Sequence, residues 1–222
     1  MDNQEHLTGK AKYQYVMDVL DIMYPEAFCE LNYHSIFDLV IAVMLSAQTT
    51  DISVNKVTDV LFQKYKTVDD YINCDIKELE DDLRFIGLYK NKAKNIKLLC
   101  QKIKDDYNGQ VPMKRKDLES LPGVGRKTAN VVLSEGFRIP AIAVDTHVSR
   151  VAKRLKLAYL NDDVWTVEQK LMRKFPRERW HKLHHQMVFF GRYHCKAQAP
   201  DCGNCQLKKI CRYPNIDVGR AM

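Results

Sequence analysis

The chain has 222 residues, 45% hydrophobic and 28% charged, which is globular composition and excludes a disordered or fibrous chain. No apolar run nears the roughly 18 residues a membrane crossing needs, and MDNQEHLTGK shows no basic flank before an apolar segment, so the cytoplasm is the expected location. The net charge of +7 is uneven: residues 1–120 hold 16 Lys+Arg against 20 Asp+Glu, net −4, while residues 121–222 hold 19 against 8, net +11. Such an asymmetry points to an anionic partner, nucleic acid first.

Apolar residues recur at helical spacing almost throughout. Val16, Val19, Leu20 and Met23 predict a first helix that Pro25 interrupts. Ser35 is placed to cap a helix carrying Phe37, Val40, Ile41 and Met44. Asp51 is placed to cap the next, with Val54, Val57, Val60, Leu61 and Tyr65 on one side. DIKELEDDLRFIG predicts a short helix ended by Gly87. In the following segment Ala93, Ile96, Leu99, Cys100, Ile103 and Tyr107 share a face, and Asn108-Gly109 closes it. Short helices are expected over 114–121 and 127–134, around a glycine turn. Asp145 can cap a helix through Val148, Val151 and Leu155, and residues 164–175 and 179–193 give two more. IPAIAVDTHV alone could pass as a strand, but nothing else in the chain offers it a partner. The fold class expected is all-α.

The stretch LPGVGRKTA, Leu121 to Ala129, sets two glycines around one valine at the mouth of a helix. Bare glycines let backbone N–H groups approach an outside group, and the helix start adds unpaired N–H groups and a positive dipole end. Together they form a phosphate seat that grips a DNA backbone without reading bases. The full string resembles the helix-hairpin-helix motif of DNA repair proteins. Lys127 follows in the first turn of the second helix. There the dipole disfavours the ammonium and favours the nucleophilic amine, while DNA phosphates pull the other way.

Eighteen residues on, AVDTHVSRVAKRL places Asp145 after an apolar run and before a helix. Beyond capping, such a carboxylate can stabilise positive charge on a sugar carbon or help deprotonate an amine. The cysteines fall in two groups. Cys29, Cys74 and Cys100 are scattered among apolar residues and read as buried free thiols. Cys195, Cys202, Cys205 and Cys211 are spaced C-x6-C-x2-C-x5-C. Four thiolates on one short loop call for a metal, and chemistry alone permits zinc or a cubic iron–sulfur cluster.

MLSAQTTD at 44–51, GLYKNKA at 87–93, the hairpin at 121–129, VDTHV at 144–148 and the cysteine loop occur in one order across nearly the whole chain. Together they resemble the endonuclease III family of bifunctional DNA glycosylases and abasic-site lyases. The resemblance implies a helical domain over 29–139, with its helix-hairpin-helix at about 115–134. It implies a second domain from 1–28 with 140–222, carrying a 4Fe–4S cluster on the 195–211 loop, and a DNA-binding cleft between the two. Lys127 matches the family nucleophile and Asp145 the assisting aspartate. Gln48 matches a residue that fills the gap left by a flipped nucleotide, and Leu88 a wedge that enters the stack. Leu121, Gly123, Val124, Gly125, Arg126 and Thr128 would supply the phosphate contacts. Outside the resemblance, Gln48 could simply end a helix and Leu88 could be a core leucine.

The substrate implied is double-stranded DNA with oxidised pyrimidines or abasic sites, met by a monomer with no membrane. An adenine glycosylase of the same superfamily competes; it usually lacks the lysine, carries glutamate where Ala42 stands, and has a further C-terminal domain. A non-enzymatic DNA-binding iron–sulfur protein is a third reading. Lys196, Lys208, Lys209 and Arg212 suit a loop pinned against phosphates. His147, His184 and His185 are assigned no chemistry; His147 reads as a hydrogen-bonding residue and the other two as helix-face residues.

Overall fold

The computed structural model describes residues 7–213. Every regular element among them is helical, as expected. The chain forms two compact units, Glu30–Ile139 and Met1–Cys29 with Pro140–Met222.

The Glu30–Ile139 unit is built round α2 (Ile36–Leu45). Its sequence, IFDLVIAVML, is apolar on all sides, so it sits in the middle, with every residue from Asp38 to Leu45 buried. Ser35 caps it, its hydroxyl accepting from Asp38 N–H at 3.0 Å. Around α2 lie α3 (Asp51–Lys64), α4 (Val68–Asn73), α5 (Ile76–Asp82), α6 (Tyr89–Tyr107), α7 (Arg115–Glu119) and α8 (Arg126–Val131). A π-helical turn, Val132–Gly136, continues α8 and packs on α2.

Three expectations for this unit need correction. The cap of α3 is Thr50, whose hydroxyl accepts from Ser53 N–H, and Asp51 is the first helical residue. Val60 faces outward, because the buried stripe of α3 runs through Val54, Val57, Thr58, Leu61 and Phe62. The helix after Asp75 ends at Asp82, five residues short of Gly87. Tight turns from Arg84 N–H to Asp81 O and Ile86 N–H to Leu83 O then bury Leu83 and Ile86 and leave Phe85 75% exposed.

The other described unit contains α1 (Gly9–Met23), α9 (Thr146–Arg154), α10 (Val164–Lys174) and α11 (Trp180–Phe189), which runs on into a π-helical turn, Phe190–His194. Its core joins Val16 and Leu20 of α1 to Val148, Val151, Leu171, Leu183, Met187 and Phe190. Each such side chain contributes about 1.5–3 kcal/mol by leaving water. Gly191 lets the turn close on α9: a Cβ there would lie 2.8 Å from His147 Cβ. His184 and His185 are buried, not on an open helix face. Residues 140–145 have no strand pairing; Ala141–Val144 are buried and lead to Asp145 at the start of α9.

Candidate active site and cysteine loop

The hairpin between α7 and α8 is held from below. Leu121 and Val124 are 2% and 5% exposed, and Val124 N–H closes the turn on Leu121 O at 3.0 Å. Gly123 has φ +79, and a Cβ there would lie 2.5 Å from Met44 Sδ and 3.1 Å from Asn95 Cβ. A side chain at this position would therefore meet both the end of α2 and α6. Gly125, the N-cap of α8, has extended φ, and a Cβ there would meet nothing within 4 Å. Leu121, Val124 and Thr128 were grouped above with the DNA contacts. Their side chains are buried, so any contact from these positions belongs to the backbone.

Lys127 is the second residue of α8 and is exposed. Its ammonium makes no hydrogen bond or ion pair among the described residues. Arg126, beside it, lies 3.6 Å from Glu119.

Gln48 and Leu88 share an uncommon conformation. Both are exposed and both are left-handed, with φ 55 and φ 59. Left-handed residues other than glycine cost about 1–3 kcal/mol each and gather at functional sites. Leu88 is 55% exposed, which removes the core-leucine reading. The two turns adjoin, since a Cβ on Gly87 would lie 3.8 Å from Gln48 O.

In the other unit, Asp145 is half-buried and caps α9, its Oδ1 accepting from Val148 N–H at 2.8 Å. The same helix holds the cysteine loop. Arg150 Nε donates to Cys195 O at 3.1 Å and its Nη2 to Gly191 O at 2.7 Å. Arg150 Nη2 also meets His147 Nδ1 at 3.2 Å, which gives His147 the structural role expected of it. Burial, above all, lowers the His147 pKa. Arg154 is fully buried and donates to Cys195 Sγ at 3.4 Å, Lys196 O at 2.7 Å and Ala197 O at 3.1 Å.

Cys195, Cys202, Cys205 and Cys211 line one cavity with Phe190 and Tyr213. Burial pushes the Cys205 thiol up to about 11 and raises Cys211, and the neighbouring thiols push the same way. The cavity thus opposes bare thiolates and asks for a cationic partner.

The chain matches the HhH-GPD superfamily of base excision DNA repair proteins over residues 41–177. It is 55% identical to endonuclease III of Bacillus subtilis over 199 residues, 90% of this chain and 91% of that one. The chain belongs to the endonuclease III family. Escherichia coli endonuclease III is 43% identical over 211 residues, 95% of this chain and 100% of that one. A solved structure of a trapped endonuclease III–DNA covalent intermediate superposes with a TM-score of 0.90 at 55% identity, covering 93% of this chain and 97% of that one.

Three charged residues of this endonuclease III family member turn inward in the fold. Arg150 and Arg154 carry no signal of their own in the sequence, and both turn inward to the cysteine loop. Lys92, which falls within GLYKNKA, is buried. The only available signal was position: Lys92 precedes Ala93 on the apolar stripe, and Arg150 precedes Val151.

Proposed function

We propose that the chain is a base-excision DNA N-glycosylase with an associated abasic-site lyase, acting in the cytoplasm on oxidised pyrimidines in duplex DNA through a Schiff base on Lys127. The observation that carries it is an exposed, unengaged lysine directly after a hairpin of phosphate-seat geometry. Backbone N–H groups of Gly123 and Gly125 and the first turn of α8 grip a phosphate, aided by Arg126. The target nucleotide is swung out, because its C1′ is out of reach inside an intact duplex. Leu88 enters the stack and Gln48 fills the gap.

The neutral Lys127 amine then attacks C1′. The C1′–N bond breaks, and the departing base takes the electron pair and a proton. Asp145 accepts a proton from the attacking nitrogen and stabilises the developing positive charge. The C1′–O4′ bond then opens, O4′ keeping the electron pair and taking the proton held on Asp145, which leaves a C1′=N iminium; the iminium acidifies C2′, and loss of a C2′ proton expels the 3′ phosphate and cuts the strand. Water finally releases the lysine.

Cys195, Cys202, Cys205 and Cys211 would hold a 4Fe–4S cluster. The four sulfurs lining one cavity give the all-thiolate donor set that such a cluster takes, and the C-x6-C-x2-C-x5-C spacing resembles the cluster loop of the endonuclease III family. When bound, the cluster supplies cross-links that pin the loop with Lys196, Lys208, Lys209 and Arg212; glycosidic cleavage and β-elimination draw no electron from it. The adenine-glycosylase alternative gains no support, since position 42 offers an alanine where it needs a carboxylate and position 127 carries a lysine.

Borohydride trapping on abasic-site DNA tests the reading. A covalent adduct is expected from the native chain and none from Lys127→Ala, which should still bind the DNA. No adduct from the native chain would overturn the lyase assignment. Excision over a panel of oxidised bases, including adenine opposite oxidised guanine, then fixes the substrate.

A further inference from the structure

Lys92 is 5% exposed, unusual for a lysine. Burial lowers its pKa. Its ammonium spends all three N–H groups on one short stretch of another segment. Nζ donates to Leu45 O, Ala47 O and Thr49 Oγ1, each at 2.9 Å. Leu45 is the last residue of α2, and helix-end carbonyls have no partner within their own helix. The dipole there is negative and favours a cation. Lys92 therefore caps α2 from outside and pins alternate residues 45, 47 and 49.

Gln48 lies inside that grip, left-handed and exposed. Lys92 also reaches the other turn through its own backbone. Its N–H donates to Leu88 O at 3.0 Å, closing the first turn of α6. One residue thus holds both left-handed positions, through its side chain at one and its main chain at the other. Gly87, between them, lies against Gln48 O without a side chain to separate the turns.

We propose that Lys92 is a positioning residue that fixes Gln48 relative to Leu88, so that plug and wedge enter duplex DNA together when the target nucleotide leaves the stack. This rests on the assignment of Gln48 and Leu88 to DNA above. Lys92 touches no reacting atom. It serves the opening of the duplex, not the chemistry at Lys127.

The test compares Lys92→Met, Gln48→Ala and the double variant on one abasic site placed first in duplex DNA and then in single-stranded DNA. Single turnovers are followed by borohydride trapping. A 2-aminopurine beside the site reports unstacking in the duplex. Lys92→Met is expected to slow duplex unstacking and trapping by about tenfold to a hundredfold, the scale of a misplaced positioning group. It should leave single-strand trapping within about twofold, because there is no stack to enter. The double variant should be no slower than Gln48→Ala alone, since both remove one device.

Equal loss on single and double strands would overturn the proposal, as would additive losses in the double variant. A slow Gln48→Ala beside a normal Lys92→Met would overturn the clamp alone. A normal Gln48→Ala would instead overturn the DNA assignment of Gln48 on which the clamp rests. Should Lys92→Met fail to fold, Thr49→Val removes one of the three acceptors and is judged by the same duplex-to-single-strand ratio. A ratio equal to that of the native chain would then refute the clamp.

Discussion

Gly123 and Gly125 are one residue apart, yet alanine should act on them in opposite ways. Alanine at 123 must adopt φ +79 and place its Cβ 2.5 Å from Met44 Sδ. The left-handed backbone costs about 1–2 kcal/mol. Met44 can swing aside, but it is buried at the end of α2, so the repacking adds about 1 kcal/mol. A total of about 2–3 kcal/mol lowers the melting temperature by about 5–10 °C in a chain of this size. Alanine at 125 meets nothing within 4 Å, so its stability should stay within about 0.5 kcal/mol of the native chain. Under the proposed phosphate seat, the added methyl would occupy the space the phosphate enters. Losing one charge-assisted hydrogen bond of about 1.5–3 kcal/mol weakens DNA binding by about tenfold to a hundredfold. Thermal unfolding and fluorescence-anisotropy titration with an undamaged duplex separate the two effects. If Gly125→Ala binds DNA normally, the seat is elsewhere. If Gly123→Ala melts like the native chain, the hairpin is not held as described.

Asp145 allows its two roles to be separated. Asn caps a helix about as well as Asp, so Asp145→Asn should melt normally yet lose about a hundredfold or more in base excision, whereas Asp145→Ala should also lose about 1 kcal/mol of stability. A fully active Asp145→Asn would leave the residue a cap and nothing more. Cys202→Ser should lower iron and sulfide below four each per chain and weaken the visible absorption of the purified protein; an unchanged iron content, or stoichiometric zinc in the native chain, would reject the cluster. Asp21 accepts hydrogen bonds from Arg179, Gln186 and Lys182, which tie α1 to the region of α11. The Arg179 contact, first among these, holds its carboxyl well below the usual range. With the folded pKa below the unfolded one, this stability is complete above about pH 4 and is lost as pH falls toward the folded value. Acid titration of the melting temperature should therefore be flatter for Asp21→Asn, and an unchanged profile would show that Asp21 is not the group.

Much of this was legible because it depends on local chemistry. Ser35 and Asp145 cap where their spacing from an apolar run places them, and LPGVGRKTA marks its own turn. The cysteine spacing marked a metal loop without deciding which metal, since the distance between sulfurs is not a property of spacing. What stayed hidden depends on distant segments. Thr50 and Asp51 are both good caps, and only the packed position of α3 chooses between them. Lys92, Arg150 and Arg154 are charged residues whose acceptors arise only after helix ends and loops converge. The left-handed backbone at Gln48 and Leu88 has no residue-type signature, because glycine would be the usual choice there.

The unit Glu30–Ile139 interrupts the other unit in chain order. When α1 leaves the ribosome, the helices that will cover Val16 and Leu20 have not been made. At ordinary translation speeds the wait is on the order of ten seconds. The intervening unit has its own core and is finished first, so the N-terminal helix spends its early life as a bare amphipathic segment. A chaperone that binds short apolar helices would find this one before its proper neighbours do.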